Sequence, residues 1–529
     1  MIYDAIVVGG GASGLTAAAF LARDGYKTLL LEQQPHCGGL VNTFTREGFT
    51  LDGGIRALEN AGVLFPMLKN LGIEIEFTKN RVSLGIEDQV IDIEADLTLS
   101  EYEKLLQRLY PESKDEISAL IVDIKQISHY MDIQYGINNP LFLDMKEDRD
   151  YFIKAVFPWM FKYALTVSKV NKKNQPVVPY LRKFTQNQAL IDIIAQHFFT
   201  DTPAFFALSY FRLYQDYHYP KGGTGVFSQK LIDFIQHHGG EIRTNTAVTA
   251  INLEKQSVIT EDGEEFDYRQ LLWTGDQKTL YQMVDRDALT QQETIAAVDE
   301  KKAFLAEKSG SDSVLTLYLL TDLDNAYFEK ISNGHFFYTP SREGQSKAGF
   351  PPMKGNWEDI KDWLEKFYTF TTYEIAIPAL RDSSLAPEGK TGLIISTLFD
   401  YQFTKTIYDN GWEDVFRSTV TELMINALDR SIYPGLAKSV ENSFTSTPMT
   451  IQKLTGSTDG AITGWSFTNH PIPAESRLVR IANSVVTPLP NVTQAGQWAY
   501  SPSGFPVSLI TGKVAADRIH KQLKKISGK

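Results

Sequence analysis

The sequence predicts an α/β fold with a parallel sheet at its front, and three observations predict it. Residues 4–8, Asp-Ala-Ile-Val-Val, form a short β-branched run that stops at Gly9-Gly10-Gly11-Ala12-Ser13-Gly14. Leu15 to Arg23 then reads as an alanine-rich helix, and Lys27 to Leu31 as a second strand ending in Glu32. Glycine, at 37 of 529 residues, is average over the chain yet concentrated here: positions 9–54 hold ten, against about three for an even spread.

Each element has a chemical reason. Gly9 permits the tight turn after the strand, Gly11 lets the backbone approach a pyrophosphate, and Gly14 lets the helix pack close to the strand. Ala12 and Ser13 open the helix, whose free N–H groups and positive dipole end suit phosphate. Glu32 stands 18 residues past the last glycine of the motif, where an acid accepts hydrogen bonds from a ribose diol. This motif specifies a dinucleotide and does not separate FAD from NAD.

Composition bounds the rest. Hydrophobic residues make up 43% and charged residues 22% of the chain, which is globular and excludes disorder or a collagen-like repeat. The net charge of −12 disfavours nucleic acid as a partner, because phosphate binding needs clustered cations. A single cysteine, Cys37, excludes intrachain disulfides and a zinc site built from several cysteines. The start, Met1-Ile2-Tyr3-Asp4, has no basic region, and the apolar run after it is short and ends in glycine, so it does not read as a secretory signal. No stretch reaches about 18 uncharged apolar residues. A cytoplasmic location is expected. There is no G-x-x-x-x-G-K-[ST], C-x-x-C, H-E-x-x-H or G-x-S-x-G, and no second G-x-G-x-x-G, so neither a metal site nor a separate NAD(P) domain is expected.

After Glu32 come Cys37-Gly38-Gly39-Leu40, Thr43-Phe44, Gly48-Phe49 and Leu51-Asp52-Gly53-Gly54-Ile55. Paired glycines soon after the ribose acid, then Gly-Phe-x-Leu-Asp-x-Gly, resemble the FAD-dependent phytoene desaturase and retinol saturase family. The Gly-Gly-x-x-x-Thr-Phe form with Asp-x-Gly-Ile looks closer to the retinol saturase branch. Related amine oxidases carry Gly-Gly-Arg where this chain has Leu40, which counts against an amine oxidase. The resemblance resumes at Tyr219-Pro220-Lys221-Gly222-Gly223, followed by a helical stretch to His238, Gly239-Gly240-Glu241-Ile242, a strand through Val248, and an alternating run over 251–258 into Asp262-Gly263. Val248 matches the residue whose backbone faces the adenine. It ends with Ala495-Gly496-Gln497-Trp498, Pro502-Ser503-Gly504-Phe505-Pro506-Val507 and Gly512, a loop and helix that the family places at the flavin ring. A helix start near Pro506-Val507 suits the negative charge of a reduced flavin, and Pro506 suits the first helical turn, where no N–H is needed.

The resemblance therefore implies FAD as cofactor. It implies a Rossmann-like FAD-binding domain on a parallel, discontinuous sheet, drawn from 1–80, 215–290 and 470–529. An inserted α+β substrate domain would come from 81–214 and 291–469. The implied cofactor-binding residues are Gly9, Gly11, Ala12, Ser13, Gly14, Glu32, Gly38, Gly39, Leu40, Gly54, Ile55, Val248, Gly496, Gln497, Gly504, Phe505, Pro506 and Val507.

Residues 130–219 hold twenty of the 62 aromatics. Tyr151 to Tyr163 is aromatic with lysines at 154 and 162, and Phe198-Phe199, Phe205-Phe206 and Tyr210-Phe211 follow. For any single residue, hydrophobic core is the plain reading. Together they suit an elongated apolar pocket, or a peripheral contact with a membrane interface, where aromatics beside lysines are favoured. The acidic net charge argues against purely electrostatic attachment. Three titratable residues are candidates for chemistry. Arg56 follows Asp52-Gly-Gly-Ile and would orient a polar substrate end or balance a reduced flavin; Tyr500 would donate a proton; His218 adjoins the Tyr-Pro-Lys-Gly-Gly segment. Each also has a structural reading: a salt bridge for Arg56, a satisfied histidine for His218.

The expected activity is that of an FAD-dependent oxidoreductase acting on carbon–carbon bonds of a long apolar polyene or isoprenoid, by hydride exchange with flavin N5. The substrate is expected to be an apolar small molecule drawn from a membrane. Saturation is favoured, desaturation is close behind, and a redox-neutral isomerase is an alternative. So is a lipid-binding escort protein, which shares this nucleotide-binding architecture without flavin catalysis.

Overall fold

The β-branched N-terminal run becomes a central strand of a seven-stranded sheet in the computed structural model, which describes residues 2–93 and 98–526. Met1, 94–97 and 527–529, which fall within the stretches 1–80, 81–214 and 470–529, lie outside the described residues. Ile2–Val8 runs parallel to Thr28–Leu31 on one side and to Glu265–Trp273 on the other, so Val8 sits beside both Leu31 and Trp273. Glu241–Arg243 adds in parallel outside Thr28–Leu31, and Val492–Gln494 adds in parallel to Glu265–Trp273. Thr28–Leu31 is buried along its whole length, the continuous burial of a strand covered on both faces. The α/β fold expected from the front of the chain is present, and its parallel strands come from three separated parts of the sequence.

Val248–Asn252, Ser257–Thr260 and the start of Glu265–Trp273 form an antiparallel meander on the same sheet. The stretch expected as one strand through Val248 is instead two short strands. Asn245 has a φ of +51°, a left-handed conformation that asparagine tolerates. It turns the chain so that the Thr246 N–H bonds the Glu32 carbonyl at 2.8 Å.

A second seven-stranded sheet orders Val440–Ser446, Ser313–Thr321, Thr391–Phe399, Tyr373–Ala376, His335–Thr339, Val82–Ile86 and Gln89–Asp92. All neighbours are antiparallel except His335–Thr339 with Val82–Ile86. Strand alternation divides its faces. Leu315, Leu317 and Leu319 pack with Ile360, Leu364, Val420 and Met424 of the helices Trp357–Phe370 and Glu413–Ser431. Tyr318 and Leu320, on the alternate face of the same strand, pack with Phe49 and Leu51 of the hairpin Thr43–Arg46/Phe49–Asp52. A helical layer, including Thr98–Leu109, Lys114–Tyr135, Phe157–Asn171 and Gln188–Ala195, shares a third core with Val82, Leu84 and Phe337 of this sheet. A three-stranded sheet of Leu58–Glu59, Tyr217–Pro220 and Phe77–Lys79 joins the parts.

Asp52 ties them. It is fully buried and accepts hydrogen bonds from the Tyr219 hydroxyl at 2.8 Å and from the Thr224 N–H and hydroxyl, both at 2.9 Å. A charged acceptor with three donors holds the hairpin to the strand Tyr217–Pro220 and to the residue preceding the helix Gly225–His237. Asp52→Ala strands the Tyr219 hydroxyl and the Thr224 N–H, the Thr224 hydroxyl keeping the Asn42 carbonyl at 3.2 Å, and a destabilisation of about 3 kcal/mol is expected. Tyr219→Phe, which removes one donor, costs about 1 kcal/mol. Thermal midpoints of the two variants measure the order; equal midpoints would remove Asp52 from this role.

Candidate cofactor cradle and active site

The strand Ile2–Val8 ends at Gly9, which has a φ of +105° and donates its N–H to the Leu31 carbonyl at 2.9 Å. A Cβ on Gly14 would lie 2.0 Å from the Gly9 carbonyl oxygen, so the helix Ala12–Arg23 meets the strand end backbone to backbone. Its N-cap is Gly11, with no side-chain cap, which leaves the first-turn N–H groups of Ala12, Ser13 and Gly14 without a side-chain acceptor. Over Gly11 itself a Cβ would meet nothing within 4 Å among the described residues.

The last helix, Phe505–Ile526, is laid against the first. A Cβ on Gly512 would fall 2.5 Å from the Ser13 carbonyl oxygen, and the Gly496 N–H donates to Thr511 Oγ1 at 3.0 Å. Pro506 lies in its first turn, followed by Val507, and a Cβ on Gly504 just before it would also meet open space among the described residues. Gly38 donates its N–H to the Gly10 carbonyl at 2.8 Å, and a Cβ on Gly39 would stand 3.3 Å from the Gly11 Cα. The Ile55 N–H bonds the Leu40 carbonyl at 2.9 Å, and a Cβ on Gly54 would sit 2.1 Å from that oxygen. Gly496, followed by Gln497, lies against Thr274 and Ser13. Residues 9–14, 38–40, 54–55, 496–497 and 504–507 thus form one linked backbone framework.

At the far end, Glu32 is buried and accepts hydrogen bonds from the Gly10 N–H at 2.7 Å and the Gln34 N–H at 2.8 Å. Burial raises its carboxyl above the ordinary range, against the opposing pull of those N–H groups. Val248 follows Thr246, whose N–H holds the Glu32 carbonyl. Cys37 is packed against Gly10, where a Cβ would meet its Sγ at 2.6 Å. Burial, with the neighbouring Glu32, pushes the thiol up to about 12.

This framework fits a dinucleotide. Space is open over Gly11 and Gly504, and two helix N-termini adjoin it. The buried hydroxyls of Ser13 and Ser503, one at each helix start, have no hydrogen-bond partner among the described residues.

A second group of residues lies between the helical layer and the second sheet. Glu59, Tyr135, Tyr210, Tyr217, Glu374 and Arg381 are deep in the protein yet keep accessible surface. Glu374 sits on an inner strand and its side chain is still 32% exposed; exposure at that depth implies a gap in the packing, a chamber that these residues border. One wall is a file of rings: Phe206 to Tyr210 at 5.3 Å, Tyr210 to Tyr214 at 5.4 Å, Tyr214 to Tyr217 at 5.6 Å, and Tyr217 to His335 at 6.0 Å.

Behind that wall runs a polar relay. His335 lies 2.9 Å from Glu374 Oε1 and 3.1 Å from the Asn80 amide nitrogen. Asn80 Oδ1 accepts from Arg381 Nη1 at 2.9 Å, and the Arg381 guanidinium lies 3.9 Å from the Tyr219 ring centre. This network assigns the tautomer: Nε2–H donates to Glu374 and Nδ1 accepts from Asn80. Burial holds His335 below the ordinary imidazole range, so it is neutral at pH 7. Burial would raise Glu374, but the His335 hydrogen bond and the nearby Arg56 and Arg381 outweigh it and keep the carboxyl below its ordinary value. Glu59 is the opposite case. It stands opposite Tyr217 in the strand pair, has no hydrogen-bond partner among the described residues, and is pushed up to about 8 by burial, with Asp216 adding to the shift.

The three residues singled out for chemistry are placed differently. Arg56 is buried, donates to the Asp52 carbonyl at 3.0 Å and to Ser396 Oγ at 2.8 Å, and keeps an unpartnered Nε among the described residues. Its charge reaches Glu374, so it belongs to the relay side of the chamber. Tyr500 donates its hydroxyl to the Ser476 carbonyl at 3.1 Å, and burial raises the phenol well above its usual range. His218 points to the opposite face of its strand from Tyr217 and Tyr219, because side chains alternate along a strand; its ring is wedged beside Phe65 and Phe77, with Nε2 3.5 Å from Asp216. Glu59, His335, Glu374 and Arg381 carry no sequence motif. Only Glu59 had a local signal, three residues after Arg56 on the same short segment.

Comparison with known proteins places these features in a family. The family model described as flavin containing amine oxidoreductase matches residues 12–520. The chain is 24% identical over 491 residues to a chloroplastic prolycopene isomerase of Arabidopsis thaliana, covering 86% of this chain and 73% of that protein. It is 22% identical over 536 residues to a 4,4'-diapophytoene desaturase (4,4'-diaponeurosporene-forming) of Staphylococcus aureus, covering 98% and 99%. It is 27% identical over 294 residues to an inactive all-trans-retinol 13,14-reductase of Danio rerio, covering 50% and 45%. Among solved structures, cyclohexylamine oxidase from Brevibacterium oxydans superposes with a TM-score of 0.60 at 12% identity, covering 99% of this chain and 100% of that one. The cofactor is FAD.

Gly11→Ala is expected to leave the apo thermal midpoint unchanged and to weaken FAD binding at least about tenfold, since its methyl enters the open trough. Gly14→Ala, whose methyl meets the Gly9 carbonyl, should lower both. Titration of the apo proteins with FAD, followed by flavin fluorescence, tests the contrast. Glu59 gives a pH prediction with a definite sign. Its folded-state pKa of about 8 lies above the unfolded value, so the folded protein holds a proton that the unfolded chain has released. Stability therefore falls as pH rises from about 4.5 to about 8 and then levels off. Glu59→Gln should match the parent midpoint near pH 4.5 and exceed it at pH 9.

Proposed function

The chain belongs to the family of flavin-containing amine oxidoreductases, and on that premise we propose that it moves hydrogen at carbon–carbon double bonds of a long apolar polyene or isoprenoid. It is an FAD-dependent oxidoreductase; the bond and substrate class are the proposed part. The observation that carries the proposal is the file of rings from Phe206 to His335 along that chamber. Its rings meet mostly edge to face, and Phe206, Tyr210 and Tyr217 keep accessible surface, so the wall offers aromatic faces and edges against which a long apolar chain can pack. Leu40, where related amine oxidases carry arginine, points the same way.

When bound, FAD supplies the two-electron chemistry. The chain's residues bind and orient the substrate, exclude water, and handle the proton. Glu59, with its carboxyl pushed up to about 8, is largely protonated at neutral pH and has no hydrogen bond among the described residues to surrender, so it can release a proton to an adjacent carbon or accept one back. The hydrogen-bonded Glu374–His335–Asn80–Arg381 relay keeps the ring wall in place.

We take saturation as the direction, on the Gly38-Gly39-x-x-x-Thr43-Phe44 and Asp52-Gly-Gly-Ile55 details. A second reading, redox-neutral isomerisation, is favoured by the similarity to prolycopene isomerase over 86% of the chain. The test is anaerobic. Flavin-loaded protein reduced with dithionite is mixed with candidate polyenes, and a saturase reoxidises its flavin while the product loses one double bond. Bleaching of the oxidised protein by the polyene would make it a desaturase. A changed isomer ratio with no net flavin turnover would make it an isomerase, and bleaching by amines alone would overturn the proposal. Glu59→Gln should slow turnover about a hundredfold or more while leaving the flavin spectrum intact.

A further inference from the structure

Among the aromatic-rich residues, one segment is turned outward. Arg149–Tyr151, the π-helical turn Phe152–Val156 and the helix Phe157–Asn171 form one continuous helical rod over the helical layer. Its inner side is docked. Val156 and Thr166 are buried, Val170 packs on the layer's core, and the Trp159 ring stacks on Tyr163 at 5.1 Å while its N–H bonds the Ile133 carbonyl.

The outer side is apolar and uncovered. Ile153 is 54% exposed, Phe157 56%, Met160 53%, Phe161 74% and Leu165 77%. Steps of three and four residues put these side chains on one stripe of the helix, with Pro158 and Ala164 also exposed beside them. A contiguous apolar stripe of this kind on a soluble protein marks a contact surface. Its charge says which kind. The segment 151–173 holds no aspartate or glutamate, in a chain whose net charge is −12; Asp150, at the start of the rod, pairs with Lys154 at 3.0 Å. Lys162, Lys169 and Lys172 are exposed as well. Bulky apolar side chains flanked by an excess of lysines match a bilayer interface, where the apolar groups enter the acyl boundary and the lysines meet anionic phosphates. A second copy fits less well, because a two-fold pairing of this stripe with itself would bring like-charged lysines together. No helix among the described residues is long and apolar enough to cross a membrane, so the contact is one of lying on the surface.

We propose that the stripe Ile153–Leu165 docks the protein onto an anionic membrane surface. Docking does not depend on the redox reading, because it is measured without substrate. The FAD-loaded full chain is mixed with sedimentable vesicles of phosphatidylcholine, alone or with phosphatidylglycerol, and the bound fraction is read after centrifugation. The protein should bind both, more strongly with phosphatidylglycerol. Phe157→Ser/Phe161→Ser/Leu165→Ser should lower the partition coefficient at least about tenfold, with flavin spectrum and thermal midpoint unchanged. Lys154→Gln/Lys162→Gln/Lys169→Gln should keep binding to phosphatidylcholine and lose the gain from phosphatidylglycerol. A parent protein that stays in the supernatant with every vesicle overturns the proposal, as does a triple serine variant that binds like the parent. So does a dimer, seen by light scattering, that the serine variant dissolves without any vesicle binding.

Discussion

Backbone-on-backbone contact at two glycines is the constraint from which the architecture follows. Gly14 lets the first helix touch the end of the first strand, and Gly512 lets the last helix touch the first. Both contacts leave no room for a Cβ, and both aim a helix start at the same trough. A dinucleotide, which needs positive potential along its phosphates, would there meet helix starts from the two ends of one chain. The intervening sequence is then free to leave the sheet and return to it, which it does at Glu241–Arg243 and at Val492–Gln494. Discontinuity of the cofactor sheet is thus a consequence of the close packing at its ends.

The interior between the sheets is held differently, by a network of buried polar and charged groups. Asp52 and Glu374 lie within electrostatic reach of Arg56 and Arg381, and their acceptors are met by donors, while Arg56 Nε and Arg381 Nε and Nη2 have no partner among the described residues. Ionised groups taken out of water are tolerated on those terms and fix the geometry around them. Glu59 stands outside the arrangement with neither a cation nor a hydrogen bond among the described residues, and burial holds its carboxyl high, up to about 8. Two carboxyls along one chamber wall therefore hold opposite protonation states at neutral pH, which is the difference between a scaffold and a proton carrier.

The strand–turn–helix–strand unit at the front was legible in the sequence because its requirements are local: Gly9, Gly11, Gly14 and Glu32 fall within one short stretch. Gly496 to Val507 was legible only through family resemblance, since nothing near it in sequence announces a partner helix 480 or so residues away. The relay was not legible at all. Asn80, His335, Glu374 and Arg381 meet through the pairing of Val82–Ile86, His335–Thr339 and Tyr373–Ala376, and strand pairing at long range leaves no spacing rule to read. The aromatics between 130 and 219 looked alike as sequence but have three fates: packed core at Phe205 and Phe211, chamber wall at Tyr210 and Tyr217, and open surface at Phe157 and Phe161. Composition could count them, and only packing could sort them.

Cys37, wedged against Gly10 with its thiol pushed up to about 12, has a practical corollary. Thiol reagents attack the thiolate, so the buried, raised Cys37 is expected to react far more slowly than an exposed cysteine. A cysteine introduced at the surface can be labelled alone, without first mutating the native one. Conversely, modification of Cys37 itself reports that the turn around Gly10 has opened, and its rate measures how often the cradle lets go.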